Sequence, residues 1–288
     1  MVGKGSATVN TIVLGLRLPR ALAGMLAGVG LSVSGVLLQS VTGNALASPN
    51  IIGVNSGAGL AVILTLAFFP AMQSLLPLTA FVGAMITTLI IVQLGRRFGG
   101  TAITVILAGV AMTALLNAAL SFVTLLDTDV VSAYNYFSIG GLSGVLMRQL
   151  PLPAFLILAS LALAILLSRP LEALRLGDGT AASLGVRVAL LRRIALILAS
   201  ACAAAAVSFA GLLGFVGLVV PHMARGLVGE RISRTLPASA LLGGALVLVS
   251  DLVGRTVLAP TEIPVGILMA LIGAPFFLFL LIRRRKNA

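Results

Sequence analysis

Apolar positions in this chain come in long runs and do not alternate with polar ones. Nearly uncharged stretches recur near residues 19–40, 51–69, 75–94, 102–126, 150–168, 194–210, 212–228, 236–254 and 264–282. A hydrocarbon core of ~30 Å takes about 20 residues of helix at 1.5 Å each, so each stretch predicts a membrane-crossing helix. The expected fold class is all-α, a polytopic membrane helical bundle of about nine spans forming a single transmembrane domain over residues 1–288. The segments 194–210 and 212–228 are the shortest and are separated by glycine.

The polar breaks are as informative as the runs. The longest, Arg169–Arg193, carries five arginines together with Glu172 and Asp178. An island of this size between apolar spans is either a connector or a surface that another protein grips, and we read it as the second. Two further segments, Gly43–Gly59 and Gly211–Pro221, hold glycine and proline densely enough to break a helix. Irregular backbone at membrane depth survives only where protein or a water-filled cavity covers it, and paired broken segments point to a translocation path. Small residues at Gly24 and Gly28, Gly30 and Ser34, and Gly53 and Gly57 are spaced for close helix packing.

Composition removes the soluble alternative. Charged residues are 9% of the chain, hydrophobic ones 59%, and the mean hydropathy is +1.18; a soluble surface takes roughly 25% charged residues. The net charge of +12 does not signal nucleic acid, because the basic residues sit at the ends of apolar runs. Arg96 and Arg97, the island arginines, Arg225, Arg231 and Arg234, and residues 283–286 share one side, leaving Lys4, Arg17, Arg20, Arg148 and Arg255 on the other. The first side is therefore expected to be cytosolic, with the C-terminus there and Asp127 and Asp129 outside. Nine spans then place Met1 outside, which leads us to expect a further helix upstream of residue 1. The lone cysteine, Cys202, lies in a small-residue run and reads as a packing residue.

Catalytic chemistry is sparse. No G-x-x-x-x-G-K-[ST] loop occurs, so the chain carries no nucleotide site of that type and is expected to bind no cofactor itself. The single histidine, His222, and the single cysteine give no metal set. Gly141-Leu142-Ser143-Gly144 matches the motif around an intramembrane protease serine, but Ser143 falls in an outer connection and His222 near the opposite face. Asp251 and Arg255 are four residues apart in the favourable helical order, with Arg255 expected at the outer end of its span. No chain of buried acids or histidines marks a proton-coupled pump.

Several stretches resemble one family, the permease subunits of ATP-binding-cassette importers for iron–siderophore complexes, haem and cobalamin. They are Arg17-Leu-Pro-Arg20 leading to Ser34-Gly35 and Gln39; Asn44–Pro49 with Gly53 and Gly57-Ala58-Gly59; Leu107-Ala108-Gly109; and Ser183-Leu-Gly-Val186. Gly214–His222 with Arg225, Pro237–Ala240, Asp251 with Arg255, Glu262–Gly266 and Gly273–Phe276 complete the series over essentially the whole chain. Proline is usual where Ala45 stands. The resemblance implies an ATP-driven importer in the bacterial inner membrane, with ferric siderophore as cargo and haem or cobalamin as alternatives. It implies that Arg17, Arg20 and Arg255 dock the substrate-binding protein, and that Asn44, Leu46, Ala102 and Ile103 form a cytoplasmic gate. Ala182, Leu184, Gly185 and Val186 would couple to the ATPase dimer, which binds the ATP; a second permease chain would complete the path. From the residues alone, Asp178 can cap a short helix over Gly179–Leu184, and Gly185 can end it. A secondary transporter and an intramembrane protease remain as other classes; the first would need no ATPase, and the second would lose activity on Ser143→Ala.

Overall fold

The computed structural model describes residues 12–99 and 101–286, so the first eleven residues, Lys4 among them, lie outside it. Twelve α-helices follow one another with no strand among the described residues: α1 Leu18–Thr42, α2 Val54–Phe68, α3 Leu76–Arg97, α4 Ala102–Leu126, α5 Val130–Ile139, α6 Pro151–Leu166, α7 Ser168–Leu174, α8 Asp178–Ser183, α9 Val188–Ala210, α10 Val216–Val228, α11 Ile232–Thr256 and α12 Val265–Lys286. A π-helical turn, Val13–Arg17, extends α1 backwards.

Each expected span has a helix, though not all are full-length. Five are long and apolar enough to cross a membrane alone, and α6 passes the same test only together with α7, from which it is bent by 65°. The fifteen residues of α2 and thirteen of α10 reach only about 22 and 20 Å. Both shortfalls fall on the glycine-rich segments. A 3₁₀ turn, Pro49–Ile52, leads into α2 behind Gly53 at φ +68°, and α10 starts behind Phe215 at φ +62°. Each half-span thus begins on a left-handed residue, a conformation that is uncommon for anything but glycine and that Phe215 holds against that preference. The helix α5 was not anticipated: its ten residues lie in what reads as a polar outer connection beside Asp127 and Asp129.

α1 is the centre of the bundle, buried along most of its length and packed against α9, α10 and α11. The close spacing comes from glycine. A Cβ on Gly28 would overlap the Gly243 carbonyl of α11, and one on Gly35 would overlap the Gly217 carbonyl of α10. Backbones that touch in this way supply the packing energy that water exclusion cannot supply inside lipid.

The polar island is not one solvated hairpin. It forms α7 and α8, and its last residues, Val188 to Arg193, are the first turns of α9. At the opposite end, the turn after α5 is tied down by Gly141 N–H to the Ala210 carbonyl (2.9 Å) and Gly266 N–H to the Gly140 carbonyl (3.2 Å), which joins α5, α9 and α12.

Replacing Gly28 or Gly35 with alanine forces these backbones apart, and overpacking of this kind costs about 1–3 kcal/mol. The expected result is a lower unfolding midpoint in detergent for both variants. Gly179→Ala, which meets nothing within 4 Å, should leave the midpoint unchanged.

Candidate functional site

Two polar clusters stand at the two ends of the bundle. Thr235 faces one and Asp251 belongs to the other, about 24 Å apart along α11 at 1.5 Å per residue.

The first cluster is built around a buried carboxylate. Asp251 on α11 is 4% exposed and receives Arg20 of α1 through Nε and Nη2, at 3.0 and 2.8 Å to Oδ1. Arg20 Nη1 also donates to Glu262 Oε2 at 2.8 Å. Arg255, one turn along α11, brings its Nε to 3.1 Å from Asp251 Oδ2, although out of line for a hydrogen bond. A carboxylate in a low-dielectric setting needs such partners, because an unpaired buried charge is costly. Two of the three arginines expected to await a partner's acids are therefore engaged within the chain. Arg17, one turn before Arg20, is exposed and has no ion pair among the described residues.

The second cluster lies where the basic residues gather. Gln39, near the end of α1, donates to the carbonyls of Ala47 and Gly217, each at 3.4 Å, and accepts from Arg225 of α10. One amide thus joins α1, the turn that follows it and the broken span. In that turn the Asn44 Oδ1 accepts from Leu46 N–H at 2.9 Å, and its carbonyl accepts from Ala47 N–H at 3.0 Å. Both Asn44 and Leu46 are half-buried. Thr101 caps α4 by accepting from Thr104 N–H at 3.2 Å, which leaves Ala102 half-buried and Ile103 exposed. The structure carries these two pairs to one end of the bundle, where α4 presses Gly109 onto the Ile51 carbonyl, but no hydrogen bond joins one pair to the other among the described residues.

The island residues divide by role. Glu172 accepts from Ile232 N–H at 2.9 Å, taking up an otherwise orphaned donor at the start of α11. Arg175 pairs with Glu230. Asp178 does not cap α8, whose N-cap is Gly177 with no side-chain bond; its carboxylate holds Arg192 of α9 at 2.8 Å, and Arg192 also reaches the Val41 carbonyl. Gly185, at φ +81°, ends α8 with Val186 N–H bonded back to the Ala181 carbonyl. What remains outward is a small apolar tip: Ala182 and Leu184 are exposed, Leu184 by 64%, whereas Val186 turns in against the core.

His222 lies edge-on to Phe276 at 5.9 Å in the cluster of Gln39 and Arg225. Ser143 lies beside Arg20 and Glu262 at the other end, so no serine–histidine pair is formed. Among the described residues, no group of three histidine, cysteine or acidic side chains is placed to hold a metal ion. The Arg20–Asp251 pair and the Gln39–Arg225 link escaped the sequence reading of the site. Their partners are 231 and 186 residues apart, and the only advance signal was the presence of charges inside apolar spans.

An all-helical bundle with interrupted spans and polar clusters at its ends has the architecture of a membrane permease. A model of the FecCD transport family matches residues 1–283, and the chain belongs to that family. The ferric enterobactin transport system permease protein FepD of Escherichia coli is 40% identical over 281 residues, 96% of this chain and 84% of that protein. The hemin transport system permease protein HmuU of Yersinia pestis is 38% identical, over 95% of this chain and 84% of that one. Among solved structures, an inward-facing metal-chelate type ABC transporter superimposes with a TM-score of 0.87 at 28% identity, covering 98% of this chain and 91% of that one.

The ion cluster predicts an ordering of stabilities. Asp251→Asn leaves two guanidinium groups without their buried partner, and breaking a buried pair costs about 3–5 kcal/mol. Glu262→Gln removes a surface contact that is worth at most about 1 kcal/mol. Unfolding midpoints in detergent should fall in that order.

Proposed function

We propose that this chain is the permease subunit of an ATP-driven, binding-protein-dependent importer that carries a ferric siderophore into the bacterial cytoplasm. The observation that carries the reading is the exposed tip of α8. An apolar knob, Leu184, is presented on a short helix held rigidly to α1 and α9 by the Asp178–Arg192–Val41 chain. A rigid lever of this kind suits the cleft of a separate ATPase, whose clamping on ATP would be passed straight into the spanning helices. The basic end is then cytosolic, as the positive-inside rule requires, and the C-terminus lies there.

The other roles follow from this orientation. Arg17, with the outer edges of Arg20 and Arg255, would receive acidic side chains of the binding protein; exposed ion pairs are individually weak and serve mainly to steer and register a partner. Asn44, Leu46, Ala102 and Ile103 would close the path on the cytosolic side. A second permease chain would cover α4, and Asn117 supports this. It is exposed in the middle of a helix whose other polar residues are all hydroxyls, and an amide left facing hydrocarbon costs about 2–7 kcal/mol. The relatives carry enterobactin iron and hemin by name, and a ferric chelate is the shared chemistry that we assign to the cargo.

Two experiments test this reading. Leu184→Asp should abolish ATPase association and transport while helix content by circular dichroism stays at the wild-type level; unchanged association would remove the lever. Arg17→Glu should weaken binding-protein affinity in surface plasmon measurements, with the loss largest at low salt, because exposed charges are screened over about 8 Å at physiological ionic strength. A loss that is independent of salt would mean that Arg17 acts through something other than charge.

A further inference from the structure

At the basic end, α1 with the turn after it, Arg175, α10, α11 and α12 line a half-open cavity of about 680 Å³, inside the range of small-molecule sites. Its lining is mixed. Arg175, His222, Arg225 and Glu230 are among its polar lining residues, and Met223, Phe276 and Phe279 among its apolar ones. The charges are unevenly satisfied. Arg175 donates to both the carbonyl and the carboxylate of Glu230. Arg225 is half-buried, has the neutral amide oxygen of Gln39 as its hydrogen-bond partner, and has no carboxylate within ion-pair distance among the described residues. Arg175 is neutralised by Glu230, so the charge without a counter-ion in the lining is that of Arg225, and a half-buried guanidinium lining a cavity is a place for an anion. Arginine favours oxyanions that accept two hydrogen bonds at once, phosphate above all.

The cavity is far larger than a phosphate group, and its apolar residues would gain nothing from a free ion. A single molecule that satisfies both kinds of residue is an amphiphile with a phosphate at one end and hydrocarbon at the other. We propose that this cavity binds the headgroup of an anionic phospholipid, its phosphate on Arg225 and its glycerol and first acyl carbons against Met223, Phe276 and Phe279. The inference rests on the orientation proposed above, which places the cavity at the headgroup level of the cytosolic leaflet; basic pockets between helices on that side bind anionic headgroups. The lipid would brace the end of α1 against α12, next to the Arg175–Glu230 contact that fixes α7.

The test uses the purified chain in nanodiscs of phosphatidylcholine with or without phosphatidylglycerol. Native mass spectrometry should find phosphatidylglycerol retained roughly tenfold over phosphatidylcholine, a difference of about 1.4 kcal/mol. That preference should be lost in Arg225→Gln and kept in Arg97→Gln, an exposed arginine at the end of α3. Because the chain has no tryptophan, Phe279→Trp places a single reporter at the cavity, and brominated phosphatidylglycerol should quench it more than brominated phosphatidylcholine does. Equal retention of the two lipids by the wild-type chain, or equal quenching, overturns the proposal without recourse to a variant that might misfold. If inorganic phosphate in neutral discs raises the unfolding midpoint as much as phosphatidylglycerol does, the source is free phosphate and the lipid assignment fails. None of these measurements needs the ATPase or the binding protein, so a lipid preference without ATPase association would count against the transport reading alone. Cysteine labelling at the α8 tip reports the orientation separately.

Discussion

Lipid offers no hydrogen bonds, so every irregular stretch of backbone inside this bundle has to be covered by protein. The packing is built on α1. Its glycines let the Gly217 and Gly243 carbonyls come within backbone contact, which seats α10 and α11 against it. The irregular backbone around them is covered by other elements: the segment after Gly211 by the end of α5, through Leu212 N–H to the Phe137 carbonyl, Phe215 by Gly273 of α12, and the turn before α2 by Gly109 of α4.

α1 also connects the two ends. Arg20 and Gln39 sit on one continuous α-helix, about 28 Å apart along its axis. One is locked into the buried carboxylate at Asp251 and the other into the α10 backbone through Gly217. Neither anchor is a surface ion pair free to exchange with water. α1 therefore ties the Asp251 ion cluster at one end of the bundle to the Asn44 turn at the other. Shifts of packed helices as units, with interfaces switching between discrete arrangements, are how coupled membrane machines move.

The fold class and nearly all the helix positions were legible in the run pattern. The run pattern gives Ala102–Leu126 its observed boundaries and marks the two glycine-dense segments as breaks. α5 was missed because Asp127, Asp129 and a short run with two tyrosines read as a connection; its helix depends on packing against α2, which no local pattern encodes. Asp178 was misread for a related reason. A residue before a short helix looks like a cap, yet the stronger demand came from Arg192, a buried guanidinium fourteen residues on. Gly185 was read correctly because its left-handed φ is a local requirement. At the Asp251 end, the charges were visible but their pairing was not, since pairing across 231 residues is decided by the fold.

Contacts made by main-chain atoms are indifferent to the side chains around them. Where a helix meets its neighbour through glycine and a carbonyl, the geometry survives any exchange of leucine, isoleucine, valine or phenylalanine on the faces that look outward. The outward-facing hydrophobic positions in this chain can therefore change without altering its shape, whereas the buried ones such as Leu37 and Ile157 cannot. A handful of glycines cannot either, and it is by them, not by overall likeness of composition, that a distant relative of this bundle is best recognised.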